Sequence, residues 1–289
     1  MAGQGGGGIT VRRMSFSFPA GLDPVLVPGQ PEESYLNVGL SLLLPYLEPY
    51  LIRSMRAARK GVTDPALLAQ LDLFNAQEGQ HYRQHIRFNE AIRLTGFERL
   101  SALEAELAAD YERYTATRSL RWNLAYAEGF EALTSALARF SIETGMTDRM
   151  HPEARELFTW HLVEELEHRT VAFDVYDHLY GGYFYRLGVG LFAQWHLNRF
   201  VRRVAESMLA ADPEGFRRTY GGRRAAWARL WPLVRRSLRT LVPRILATYL
   251  PWYTPHAIPM PEAARALAEH YTEVAARSPA AGPPAAPAA

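Results

Sequence analysis

The sequence predicts an all-α fold: a four-helix bundle core with additional C-terminal helices. Three observations carry this. Ala, Leu, Glu and Arg dominate the interior of the 289-residue chain, and few runs alternate with the two-residue period of a strand. Helix start and stop signals recur along it. The connections between them are short, which favours antiparallel neighbours packed side by side.

Residues 1–32 read as a flexible glycine-rich leader (1–8) and an extended arm with turns, rich in Pro and Gly. The helical domain then spans 33–277, and the Ala/Pro stretch 278–289 reads as a disordered tail. A first helix covers about 33–58, with Pro45 and Pro49 disturbing its regularity. Asp64-Pro65, an N-cap followed by proline at the first helical position, opens a second helix that runs to about Leu94. Residues 101–144 form one bent helix or two. His151-Pro152 opens the next, which ends at the glycine stop Gly181-Gly182. Helices follow at about 184–210 and 222–247, with a short one after Pro261.

Hydrophobic residues make up 48% of the chain, enough for a sizeable core, and the formal net charge of +2 does not point to nucleic acid. Arg202-Arg203 and Arg235-Arg236 read as solvated helix faces. There is no cysteine, so any metal is held by His, Asp, Glu or backbone oxygen. Arg12-Arg13 is similar to a twin-arginine signal, but no apolar stretch follows, so the chain reads as untargeted and cytoplasmic. The apolar run from Tyr183 to Phe200 is broken by Arg186, Gln194 and His196, as in a buried or membrane-surface helix rather than a spanning one.

Two helices carry Glu-x-x-His: Glu78 with His81, and Glu165 with His168. A spacing of three puts a carboxylate and an imidazole on adjacent turns of one face, within reach of one ion. Their location says more than the spacing does. Leu71, Phe74, Glu78, His81, His85 and Ile92 form one stripe, and Leu157, His161, Glu165, His168, Ala172, Val175 and Leu179 another. Polar groups therefore interrupt the faces that should turn to the core. Buried charges are paired or bound to metal, so two helices breaking the rule together suggest a shared partner. The alternative is a buried Glu–His ion-pair network.

A dinuclear site in a bundle also needs one Glu from each of two further helices. Glu48 is the only acid in a long apolar stretch of the first helix, and Glu128, with Glu131 beside it, is the candidate on the third. The candidate ligands on these grounds are Glu48, Glu78, His81, Glu128, Glu165 and His168, with Glu131 and His85 as supporting residues. Tyr46, Tyr50, Phe74, Tyr82, Tyr126 and Phe130 either line an apolar pocket or belong to the core.

Gln77-Glu78-x-Gln80-His81 with His85 four residues on, and Trp160-His161-x-x-Glu164-Glu165-x-Glu167-His168-x-x-Val171-Ala172-Phe173-Asp174-Val175-Tyr176, resemble the bacterial predicted metal-dependent hydrolases of the ferritin-like superfamily. Val11-Arg12-Arg13-Met14 and Glu48-Pro49-Tyr50 fit the same resemblance, which covers roughly residues 9–255. It implies a ferritin-like bundle. The ligand order is similar to that of carboxylate-bridged di-iron oxygenases. That likeness makes Glu164 the partner of His81, and Gln77 that of His168. His161-x-x-x-Glu165-x-x-His168 is similar to the arylamine N-oxygenases, which implies a ligand role for His161.

The leading expectation is a dinuclear centre, iron or else manganese or a mixed pair, that activates O2 to oxidise a small organic substrate. Its electron donor is undetermined, and a homodimer is compatible with the sequence. One alternative is a metal-dependent hydrolase, although no Gly-x-Ser-x-Gly, His-Glu-x-x-His or His-Asp signature is present. The other is a metal-binding or storage protein without catalysis.

Overall fold

A computed structural model of the chain describes residues 8–277. The flexible-leader reading of 1–7 and the disordered-tail reading of 278–289 lie outside the described residues. Those described are all-α, with no strand among them. The helices are α1 (Pro31–Ala58), α2 (Pro65–Arg93), α3 (Leu100–Thr117), α4 (Leu120–Glu143), α5 (Pro152–His168) and α6 (Val171–Leu179), followed by α7 (Tyr183–Leu209), α8 (Pro213–Tyr220), α9 (Arg223–Arg239), α10 (Leu241–Thr248) and α11 (Glu262–Arg277).

Local chemistry sets most boundaries. Asp64 accepts a hydrogen bond from the Ala66 amide and starts α2. Residues 101–144 are two helices: α3 stops at an extended Arg118, and the Ser119 hydroxyl caps α4 through the Trp122 amide. The helix opened at His151-Pro152 breaks after His168, so Thr170 precedes a separate α6. Gly181 and Gly182 end α6 at φ 58° and 89°, angles that favour glycine. The expected helix at 222–247 is two, meeting at Thr240, and α11 is a full 16 residues rather than short.

α1 runs unbroken through Pro45 and Pro49. Proline at 45 leaves the Ser41 carbonyl without its helical donor. Asn89 of α2 supplies one instead, donating Nδ2–H to that oxygen at 2.9 Å.

α1 packs against α2, and α7 lies across both α1 and α4. A Cβ on Gly129 of α4 would meet Gly190 Cα of α7 at 2.3 Å, and one on Gly39 of α1 would meet Val201 O of α7 at 2.9 Å. Glycine at these two points lets α7 approach at backbone distance. The main core joins α1, α2, α4, α5 and α7, with Leu42, Leu43, Tyr50, Phe74, Phe88, Tyr126 and Trp160 fully buried. The described residues before α1 form no helix or strand, and they are packed: Met14, Leu22 and Val25–Val27 are buried in that core.

Candidate metal centre

Four helices each turn one carboxylate into the same volume: Glu48 from α1, Glu78 from α2, Glu131 from α4 and Glu165 from α5. All four are at most 2% exposed, as are His81 and His168. Two groups of possible ligands form the ends of the cage. Glu48, His81 and His161 make one, and Glu78, Glu131 and His168 the other; Glu78, His81 and Glu165 form a third group between them. Within each group the ligand atoms lie within 4.8 Å of one another.

Nine polar atoms here make no hydrogen bond: both oxygens of Glu48, Glu78 and Glu131, one of Glu165, His81 Nδ1 and His168 Nε2. They are nine of the thirteen such buried side-chain atoms among the described residues. Buried carboxylate oxygens normally find donors, so their concentration at one point is what a cation-holding cage requires.

The histidines are oriented to match. Asn89 Oδ1 takes the Ser41 hydroxyl proton at 2.6 Å, so Ser41 Oγ accepts from His85 Nδ1 at 2.8 Å. His85 Nε2 is then bare and accepts from His161 Nδ1 at 3.0 Å. His161 Nε2 is thereby aimed into the cage, where it hydrogen-bonds to Glu165 at 2.9 Å and lies 3.9 Å from Glu48. His81 donates Nε2–H to Glu164 at 3.0 Å and turns Nδ1 toward Glu78 and Glu165, at 3.8 and 3.9 Å. His168 donates Nδ1–H to Gln77 Oε1 at 3.0 Å, and its Nε2 lies 3.3–3.6 Å from Glu131, Glu78 and Glu165. An outer hydrogen bond of this kind is how a protein fixes which nitrogen an imidazole offers to a metal.

Electrostatics record the strain of the metal-free cage. Burial, with the Glu78, Glu165 and Glu131 carboxylates, pushes Glu48 well above the ordinary range. Burial also raises Glu78, despite His168. Burial and Glu165 raise Glu131 to about 7. Burial opposes charge on Glu165, but His168 and His161 more than reverse this and hold it well below its usual range. Burial likewise pulls His168 down, and Glu165 and Glu131 overcome it and raise it well above. His81 and His85 are pushed low, by burial first and then by His161.

One predicted ligand is placed differently. Glu128 is not in the cage: it pairs with Arg186 of α7 at 2.7 Å, and both are buried. Glu131, read as a supporting residue, occupies the α4 position instead. The reason is tertiary, because α7 brings Arg186 to the turn of α4 that carries Glu128. Glu164 and Gln77 stand behind His81 and His168, and His85 behind His161. Among the predicted aromatics, Tyr50 and Tyr126 are core, and Phe74 packs edge-on against His168 at 4.8 Å.

Sequence reasoning missed Arg12. Its buried guanidinium donates to Glu164 at 3.1 Å and to Glu167 at 2.7 Å, and Gln77 donates Nε2–H to Glu167 at 2.8 Å. The arm thus ties together the two residues that orient His81 and His168. The signal was Arg12 itself, in a segment otherwise suited to exposure, aligned with two acids on the core side of α5.

No curated protein and no solved structure matches the chain. A family model, described as predicted metal-dependent hydrolase, matches residues 10–258. That match takes in α1 to α10 and every residue of the cage, and by it the chain belongs to the predicted metal-dependent hydrolase family.

Proposed function

We propose that the protein is a dinuclear metal enzyme that activates O2, with iron as the first choice of metal, to oxidise a small organic substrate. The observation that carries this is the ligand set: one Glu from each of α1 and α4, and Glu-x-x-His from each of α2 and α5, converging in one closed cage. Helical bundles use this combination for di-iron and di-manganese centres. The charges also balance, since Glu48, Glu78, Glu131 and Glu165 together neutralise two divalent cations, and His81, His161 and His168 each turn one ring nitrogen toward the cage. Glu48, His81 and His161 would hold one ion, Glu131 and His168 the other, with Glu78 and Glu165 between them. When bound, such a pair supplies the electrons and Lewis acidity that O2 chemistry needs.

The chain's own residues do the rest. Glu164, Gln77 and His85 orient the three imidazoles. Trp160 donates Nε1–H to Glu164 at 2.9 Å and walls His81 with its ring. Even the most exposed member, His161, is only 7% exposed, so bulk water is excluded and a diatomic gas is the reactant best suited to enter. A cleft of about 190 Å³ lies beside the Glu131 end. Its walls combine apolar side chains, among them Ala132, Ala136, Leu166 and Ile258, with Arg139, Arg169 and Arg244, and suit a small organic molecule.

The family description favours a second reading, hydrolysis by metal-bound hydroxide. The test begins with metal content: about two ions per chain are expected after growth with iron or manganese. Melting temperature should rise with ferrous or manganous ion, and Glu78→Ala with Glu165→Ala should abolish the rise. A folded chain that stays metal-free with both metals would remove the assignment. Anaerobic ferrous loading followed by O2 should consume O2 with substrate oxidation. Turnover of esters or amides without O2 would establish the hydrolase, and mineral formation without turnover a storage role.

A further inference from the structure

Residues 215–261 contain nine arginines and no aspartate, glutamate or lysine. The whole chain carries only +2, so positive charge is concentrated in this one segment and the remainder is acidic. The segment includes α9, which has no buried residue. Arg229 holds α9 to Glu32 of α1, and Arg236 donates to the Thr144 carbonyl. The outward face is left with Arg224, Trp227, Trp231, Arg235 and Leu238 in register, spaced three, four or seven apart. Trp227, Trp231 and Leu238 are 57%, 47% and 56% exposed, and the two indoles lie 5.5 Å apart. Arg223, Arg224, Arg235 and Arg239 are exposed and form no ion pair among the described residues. Beyond α9, Leu246 and Trp252 are exposed as well.

We infer that this face of α9 docks the protein on an anionic phospholipid surface. Tryptophan and leucine among arginines on one helix face suit the boundary between headgroups and acyl chains, where indoles sit at the interface and guanidiniums meet phosphate. Arginine near an anionic leaflet adds attraction that salt weakens. A second copy of the chain is the poorer occupant, because a two-fold interface would set arginine against arginine. No helix among the described residues is long and apolar enough to cross a membrane, so the contact is one of surface docking.

The experiment uses the full, metal-loaded chain with vesicles of phosphatidylcholine alone or mixed with phosphatidylglycerol, and a duplex DNA as a competing polyanion. Binding is expected on the anionic vesicles only, falling with salt, with tryptophan emission quenched by brominated lipid. Trp227→Ser with Trp231→Ser, and separately Arg224→Gln with Arg235→Gln and Arg239→Gln, should each weaken binding at least about tenfold. Metal content and melting temperature should stay unchanged, because all five side chains are exposed. The proposal is overturned if the wild-type chain ignores anionic vesicles, or if either variant binds them like wild type. It is equally overturned if duplex DNA binds in preference to vesicles, or if the tryptophan variant turns a wild-type dimer into a monomer.

Discussion

Glu128 and Glu131 are one helical turn apart on α4, equally buried, and opposite in role. Glu128 answers a single guanidinium, whereas Glu131 faces other carboxylates and His168. Neutralising each should therefore change stability in opposite directions. Glu128→Gln strands the Arg186 charge in the interior and should cost about 3 kcal/mol, while the chain still binds two ions. Glu131→Gln removes a charge from a crowded anionic cage. It should leave the metal-free chain as stable or more so, and weaken metal binding. Urea unfolding with chelator, alongside elemental analysis, measures both. If Glu128→Gln lost metal and Glu131→Gln kept it, the α4 ligand assignment would be reversed. The sequence showed two acids on one face of one helix; it contained nothing to say that Arg186, 58 residues on, claims one of them.

At the scale of elements, the arm before α1 belongs to the candidate centre. Thr10 and Arg12 contact Glu167, Arg12 also contacts Glu164, and Gln84 holds the arm at Met14 and Phe16. Phe16 packs on Trp160, whose ring lies against His81. Arg12→Ala should uncover two buried acids and cost about 3 kcal/mol. It should also loosen metal binding by about 10–100-fold, because Glu164 then holds His81 less firmly. Arg13→Ala, at an exposed site, should do neither. Denaturant titration and chelator competition test the pair, and equal effects of the two substitutions would refute a role for the arm. Helix starts such as Asp64-Pro65 were legible because they are settled by neighbours in sequence. The continuity of α1 through Pro45 was not, because the donor that rescues the Ser41 carbonyl comes from Asn89 on another helix.

Over the whole molecule, the buried acids and bases make stability depend on pH in a way that metal should reverse. In the metal-free chain burial raises Glu164 to about 8, against Arg12, and Glu131 to about 7. Glu48, Glu78 and His168 are also raised. Each of these groups binds its proton more tightly folded than unfolded, so stability should fall as pH rises from 6.5 to 8. Glu165, held low, titrates below that window. His81 and His85, also held low, act mainly below 6.5, the ordinary histidine value. A loss of about 2 kcal/mol is expected with chelator present. Ions replace those protons, so the gain from added manganous ion should be larger at pH 8 than at 6.5. Unfolding midpoints at the two pH values measure this; a metal-free chain that gained stability over the window would contradict the cage electrostatics.

By itself the sequence determined the helices, most of their ends, and the fact that α2 and α5 break their own apolar stripes with Glu78, His81, Glu165 and His168. These are properties of spacing within a single helix, set by 3.6 residues per turn and by local capping. Which α4 carboxylate enters the cage, how Arg12 braces it, and which nitrogen each histidine presents were decided only by tertiary structure. Such choices depend on partners far away in sequence — Arg186 for Glu128, Glu164 for His81, Ser41 and Asn89 for His85 — and a buried charge goes to whichever partner the packing brings within reach.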